Sequence, residues 1–196
     1  MRIRLRPAHD PGKLAELYAK PHQHDRWPDH VLRVNETIKL IRDMFPKGVP
    51  NVVADLSCGD AAIVNALRTR WEPIGNRPSP QVILGDIAPG YEFTGPIEQT
   101  IREVSRVGLF VCCETLEHLD DPETVLAQIR AAADCLVLST PDSEPDATNQ
   151  EHYWSWGQDD VRAMLEAAGW KPELSRVVTW KDGHDHPWSY QIWGCR

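Results

Sequence analysis

The sequence predicts a three-layer α/β fold: an open, mainly parallel sheet with helices on both faces and one reversed strand near the C-terminus. Three observations predict it. Strand-like apolar runs alternate with helical patterns from Pro50 onward, the order expected of βαβ units. Two early runs, Asn51–Asp55 and Gln81–Asp86, each end on an aspartate, which puts acids at the carboxyl edge of a sheet where α/β proteins bind ligands. The last two runs, Lys171–Trp180 and Trp188–Gly194, are joined by Lys-Asp-Gly-His-Asp-His-Pro as a hairpin, so one of them must run against the parallel strands.

In chain order, two helical patterns come first, Lys13–Lys20 and His30–Met44, separated by Pro21-His-Gln-His-Asp-Arg-Trp-Pro28. They precede the first core strand and are expected to lie across the domain as a cap. Residues 1–48 form this arm and cap and residues 49–196 the core, within one domain, because 196 residues is short for two cores of about 100–150 residues each. A Ser-Cys-Gly-Asp turn follows Asp55, and a helix begins near Ala61. Pro73–Pro80 reads as a loop, Tyr91–Thr94 as a short strand, and a helix starts at Pro96. Val107–Cys113 is apolar enough to be buried on both faces. Asp121-Pro122-Glu123 combines an N-cap, a proline at the first helical position and an acid at the positive helix end, so a helix runs from here to about Ala133. Cys135–Ser139 is the next strand, stopped by Thr140-Pro141. A polar loop from Asp142 to Gln150 then leads to a helix over Gly157–Ala168, closed by Gly169.

Composition narrows the function classes. With 41% hydrophobic and 26% charged residues the chain reads as a soluble globular protein. No apolar run approaches the roughly 18–20 residues that cross a bilayer, and Met-Arg-Ile-Arg-Leu-Arg-Pro is no signal peptide, so a cytoplasmic place without a membrane partner is expected. Five cysteines without CxxC spacing read as reduced thiols. The net charge of −8 weighs against a surface that grips a polyanion. Arg2, Arg4 and Arg6 form either a local basic arm or, more commonly for such a start, an edge strand or loose terminus. The oligomeric state stays open.

The stretch Val-Val-Ala-Asp55-Leu56-Ser57-Cys58-Gly59-Asp60-Ala61 sets small residues between a strand tip and a helix start, where backbone N–H groups can approach a ligand. It lacks the spacing of dinucleotide and NTP loops, so NAD and ATP lose ground. It resembles motif I of the class I S-adenosylmethionine-dependent methyltransferases, an acid followed by Gly-x-Gly-x-Gly, with Ser57 and Ala61 in place of the outer glycines. The resemblance extends from about Val34 to the C-terminus through Glu-Thr-Leu-Glu-His-Leu-Asp-Asp-Pro, His-Tyr-Trp-Ser-Trp and the closing hairpin. It implies the Rossmann-like fold of that family and S-adenosyl-L-methionine as cofactor. Asp55, Leu56, Ser57, Cys58 and Gly59 would then meet the methionine end, Asp86 the ribose hydroxyls with Ile87 beside it, and Glu98 the adenine amino group, while Glu114 faces the loop. The plainer reading makes Asp55 and Asp86 turn formers, but their pairing at successive strand ends favours a ligand.

In the family's strand order Val107–Cys113 neighbours the first strand, so Glu114-Thr-Leu-Glu117-His118 should face the cofactor loop. At i, i+3 and i+4 these side chains share one face of a helical turn, and their oxygen and nitrogen donors suit magnesium, manganese, iron or zinc. Glu-x-x-Glu-His is similar to the metal motif of the small-RNA 3′-end 2′-O-methyltransferases and of the ubiquinone-pathway catechol-type O-methyltransferases, which implies a further histidine ligand, His152 here. Many relatives with Leu-Glu-His-Leu hold no metal, and there these residues touch cofactor or brace the loop. His118 and His152 are the candidate bases for a hydroxyl proton, with Glu114 orienting or ligating. Pro21–Trp27 and His30 form a candidate lid, with Tyr18 and Trp27 as aromatic faces for the sulfonium or as ordinary packing. His184, Asp185 and His186 should lie on the same rim, as a second metal site or, more simply, as solvated turn residues.

The implied activity is methylation of an oxygen, less so a nitrogen, on a small-molecule acceptor. One rival is a metal-dependent RNA 2′-O-methyltransferase, opposed by the acidic charge and the lack of a basic-aromatic patch. The other is a cofactor-binding protein without transfer activity, suggested by Ser57 and Ala61.

Overall fold

The computed structural model describes residues 2–24, 26–69, 79–145, 149–181 and 188–196. Most of the expected Pro73–Pro80 loop and the hairpin turn with His184, Asp185 and His186 lie outside these residues.

The first strand, β1 (Ile3–Arg4), precedes α1 (Pro11–Leu17), which starts two residues earlier than the apolar pattern suggests. The reason is local: the Asp10 carboxylate accepts from the Gly12 and Lys13 N–H groups, and Pro11 occupies the first turn. Helix α2 (Pro28–Met44) likewise opens on a proline and buries Arg33, Val34, Thr37, Ile38, Leu40, Ile41 and Met44. The core alternation follows as β2 (Val52–Asp55), α3 (Ala62–Thr69), β3 (Gln81–Asp86), β4 (Phe93–Thr94) and α4 (Ile97–Thr100). It continues as β5 (Val107–Cys113), α5 (Pro122–Ala132), β6 (Ala133–Pro141), β7 (Trp154–Ser155), α6 (Gln158–Ala167), β8 (Pro172–Trp180) and β9 (Trp188–Cys195). Strand β6 is longer than Cys135–Ser139 at both ends, and β7 falls where no strand is read from the sequence.

Seven strands form one sheet in the order β4-β3-β2-β5-β6-β9-β8. β9 runs antiparallel to both β6 and β8, while the other pairings are parallel. Alternate residues of β6 point to opposite layers, as the two-residue strand period requires. Leu136 and Leu138 join Phe110, Leu126, Leu165 and Trp193 beneath α5 and α6. Val137 joins Val53, Leu109, Val111 and Ile192 beneath α2 and α3.

Helix α2 therefore belongs to one of the two helical layers, and it lies very close to β9. A Cβ on Gly194 would stand 2.5 Å from Met44 Sδ and 2.9 Å from Leu40 Cδ2. Gly194→Ala is expected to destabilise the fold by about 1–3 kcal/mol through overpacking. A urea midpoint equal to that of the parent would show instead that α2 slides to make room.

Arg2 and Arg4 do not form a free basic arm. β1 pairs antiparallel with β7, setting Arg4 opposite Trp154. The Arg2 guanidinium lies 3.8 Å from the Trp154 ring centre and pairs with Glu123, and Arg4 pairs with Asp120. All five cysteines are buried free thiols, and no helix among the described residues is long and apolar enough to cross a membrane.

Candidate active site

The tips of β2 and β5 are tied together directly. Thr115 Oγ1 donates to Ser57 Oγ at 2.7 Å, so the hydroxyl that replaces an expected glycine links the cofactor-type loop to the segment after β5. Gly59 and Ala61 both adopt positive φ, 54° and 59°. For Ala61 this left-handed backbone costs roughly 1–2 kcal/mol. Gly59 has no substitute, because a Cβ there would meet His24 Cε1 at 2.6 Å and the His22 carbonyl oxygen at 2.9 Å. Asp86 holds the loop from the neighbouring strand, accepting from Gly59 N–H at 2.7 Å and from Ala88 N–H at 2.8 Å. Asp55 sits behind the loop, 3% exposed, and accepts from Ser57 N–H at 3.2 Å. Burial raises its pKa to about 7, against the Ser57 hydrogen bond and with the charge of Asp86 adding to the rise.

A cavity of about 790 Å³ opens above these tips. Leu56, Ser57, Gly59, Asp86, Ile87 and Glu98 border it on the β2–β3 side, and Arg33, Glu114, His118, His152 and Tyr190 on the β5–β6–β9 side. The N-terminal segment roofs it with Tyr18, His22, His24, Trp27 and His30. Asp55, Cys58 and Glu117 do not border it.

The segment after β5 does not form one continuous helical turn. Glu114 has φ 51°, an uncommon conformation that for a bulky residue marks local strain, and the 3₁₀ turn begins only at Leu116–His118. The carboxylate of Glu114 is thereby turned away from its neighbours. It accepts from Ser139 Oγ at 2.8 Å and lies 3.9 Å from Arg33 Nε. Burial lifts its pKa, with Arg33 opposing.

Glu117, His118 and His152 come together, each offering one ligand atom within 4.8 Å of the others. Glu117 is fully buried. Its Oε2 accepts from Thr140 Oγ1 at 3.0 Å, while Oε1 has no hydrogen-bond partner among the described residues and lies 3.9 Å from His118 Nε2. Burial first, and Glu114 second, push the Glu117 carboxyl up to about 8.

His118 Nδ1 stands 3.0 Å from the Tyr18 hydroxyl and 3.2 Å from the Glu151 carbonyl oxygen. The carbonyl can only accept, so Nδ1 carries the proton and Nε2 keeps its lone pair. Burial, then His152, hold this imidazole well below its ordinary pKa. His152 meets it edge-on at 4.7 Å between ring centres. The Nδ1–H of His152 points at the Glu144 carboxylate, and its Nε2 accepts from Asn149 Nδ2 at 3.0 Å. Burial lowers the pKa of His152, but the Glu144 hydrogen bond and the surrounding carboxylates outweigh it and raise it overall.

The partnerless Oε1 of Glu117 and the Nε2 lone pair of His118 fit a divalent cation, and His152 Nε2 would join them on exchanging its Asn149 hydrogen bond for the metal. On their outer sides both imidazoles turn Nδ1–H to oxygen acceptors. Such second partners are what fix the tautomer of metal-binding histidines.

No family model matches the sequence. Among curated proteins the chain is similar to the small RNA 2′-O-methyltransferase of Mus musculus, 23% identical over 203 residues that cover 81% of this chain and 50% of that one. The chain thus spans about half the length of that relative. Among solved structures it superposes on the 1,6-didemethyltoxoflavin-N1-methyltransferase of Burkholderia thailandensis, which holds S-adenosylhomocysteine and 1,6-didemethyltoxoflavin. The TM-score is 0.68 at 15% identity, over 97% of this chain and 92% of that one. The magnesium protoporphyrin IX methyltransferase of Synechocystis PCC 6803 with bound S-adenosylmethionine gives a TM-score of 0.62 at 13% identity, over 98% and 88%. The chain has the fold of the S-adenosylmethionine-dependent methyltransferases.

Several residues that shape the cavity of this methyltransferase fold escape sequence reasoning. Glu144, Asn149 and Glu151 orient the two histidines from a loop whose sequence is merely polar. Arg33 is wholly buried on α2 beside the cavity. Its signal is present in the sequence: it occupies the face defined by Thr37, Leu40 and Met44, where a solvated arginine has no place.

Proposed function

We propose that the chain is an S-adenosylmethionine-dependent O-methyltransferase acting on a hydroxyl of a small-molecule acceptor, with a divalent metal held by Glu117, His118 and His152. One observation carries this reading: the Ser57–Gly59 loop with Asp86, and the His118–His152 pair with Glu117 behind it, face the same cavity. The oxygen lone pairs of Asp86 not engaged by Gly59 and Ala88 would accept from the ribose hydroxyls, and Ile87 and Glu98 would flank the adenosine. Asp55 and Cys58 would brace the loop from behind. Methyl transfer is an in-line displacement in which the acceptor oxygen bonds to carbon as the carbon–sulfur bond breaks, so holding the partners about 3–3.5 Å apart accounts for much of the rate. The hydroxyl proton must also leave: with no metal on its Nε2 lone pair, neutral His118 would take it as the base, whereas with that lone pair on a metal the proton would leave to solvent from a hydroxyl made more acidic by the metal. A bound metal would lower the pKa of the hydroxyl it contacts. A small acceptor is favoured by the volume, about 790 Å³ within the roughly 300–1,000 Å³ of small-molecule sites, and by the net charge of −8.

A second reading, 2′-O-methylation of RNA, is favoured by the similarity to the mouse protein along 81% of the chain. It uses the same residues, but the pairing of Arg2 and Arg4 with acids leaves it less basic surface.

Calorimetry with S-adenosylhomocysteine tests the cofactor. Transfer of labelled methyl to a panel of small hydroxyl compounds and to the 3′ end of a short RNA, with chelator and then with each metal restored, tests the rest. Absence of cofactor binding overturns the reading; tight binding without transfer to any acceptor supports a non-catalytic protein. Asp86→Ala is expected to weaken cofactor binding roughly 10- to 100-fold, the equivalent of about 1.5–3 kcal/mol for a hydrogen bond to a charged group. Unchanged affinity would show that another acid holds the ribose.

A further inference from the structure

Helix α1 has no buried residue, so it adds little to the core, because helices in proteins are stabilised mainly by packing an apolar face. Its inward side chains meet the cavity instead: Leu14 and Tyr18, four residues apart on one face, both border it. The arm that delivers them is fastened to the segment that carries His152. Leu5 N–H donates to the Tyr153 carbonyl at 2.8 Å and His9 N–H to the Tyr153 hydroxyl at 2.9 Å, while Tyr153 N–H donates to the Glu117 carbonyl at 2.7 Å. Beyond that anchor the Tyr18 hydroxyl stands 3.0 Å from His118 Nδ1. That nitrogen carries the ring proton, so the phenol oxygen accepts from it alongside the Glu151 carbonyl. Burial, and then the charge of the Glu151 carboxylate, raise the pKa of Tyr18 and keep its own proton in place. A half-turn of the imidazole, which the broad χ2 torsion of histidine allows, would lose both acceptors at once.

We propose that Tyr18 is a positioning residue of the site: its hydroxyl holds His118 in the tautomer and ring orientation that turn the Nε2 lone pair toward Glu117 Oε1, 3.9 Å away. Tyr18 acts only through His118. This rests on the reading of His118 as base or metal ligand and makes the N-terminal arm one of the parts that prepare it for either task. Tyr18→Phe in the whole protein removes one oxygen and keeps the ring. In the chelator-treated protein, nitrogen NMR of the histidine rings is expected to find His118 protonated on Nδ1 in the wild type. In the variant the ratio of the Nδ1–H to the Nε2–H form should fall about fivefold, the worth of one ordinary hydrogen bond. Manganese and zinc affinities, titrated separately, should fall about tenfold, as for loss of other groups that hold a metal-binding histidine. The melting temperature and S-adenosylhomocysteine affinity should not change. A His118 tautomer ratio that is the same in both proteins overturns the proposal. So does a lower melting temperature with all the histidine resonances displaced together, which would make Tyr18 a packing residue of α1. Should the wild type bind neither metal, the metal reading of the site fails, and the tautomer ratio still decides whether Tyr18 sets the lone pair that a base would use.

Discussion

Glu117→Gln is expected to lower methyl transfer by about 10²–10³ while leaving S-adenosylhomocysteine affinity within about threefold and the melting temperature undiminished. The size follows from what the residue does in the proposed site, where loss of a group that activates the nucleophile costs on the order of 10²–10⁴ in rate. The selectivity follows from where it sits. Glu117 does not border the cavity, so it makes no contact with a cofactor lying over the Ser57–Gly59 loop. Glutamine keeps the size of the side chain and can accept from Thr140 Oγ1 in place of Oε2. It puts an amide nitrogen, which cannot ligate a metal, where the partnerless Oε1 stands. A buried carboxyl raised to about 8 is mostly neutral at pH 7, so the amide costs the metal-free fold little. Metal titration followed by activity checks each part. Full activity with unchanged metal affinity would remove the cation from the site and leave the two histidines as a simple proton path.

The parts of this site that are legible in the sequence are those fixed by local rules. Asp55 and Asp86 are readable because each ends a run of apolar residues, and strand tips in an α/β sheet are set by that pattern alone. The reversal at β9 is readable because two strand-like runs a few residues apart can only form a hairpin. Glu114 is misplaced by the same kind of reasoning. Spacing groups it with Glu117 and His118 on one helical face, but the left-handed turn at Glu114, held by Ser139 and Arg33 from two other elements, swings it away. Tertiary partners decide that conformation, and no window of sequence contains them. The same holds for β7, whose two residues are extended because β1 pairs with them from the far end of the chain. The orientation of His152 by Glu144 rests on a contact between residues eight apart in a polar stretch, which composition does not encode.

Asp55→Asn is expected to stabilise the protein increasingly as pH rises from about 4 to about 7, by roughly 2–4 kcal/mol at the plateau, and to change little below pH 4. The unfolded chain ionises this carboxyl near its ordinary 3.8, whereas the folded state holds the proton up to about 7 because the group is buried behind the cofactor loop with Asp86 nearby. Between those values the native state binds more protons than the unfolded state, so stability falls with rising pH at up to about 1.4 kcal/mol per unit and levels off above the folded pKa. Asparagine cannot ionise, and its Oδ1 can still accept from Ser57 N–H, so the variant lacks the slope while keeping the bond that shapes the loop. Urea denaturation of both proteins at several pH values isolates the effect as the difference between them, free of every other titrating group. A difference that stays flat from pH 4 to pH 9 would mean that Asp55 is ionised throughout in the folded protein. The loop would then be built on a charged carboxylate, with its amides and Arg33 compensating the burial, and not on the neutral acid that its surroundings favour.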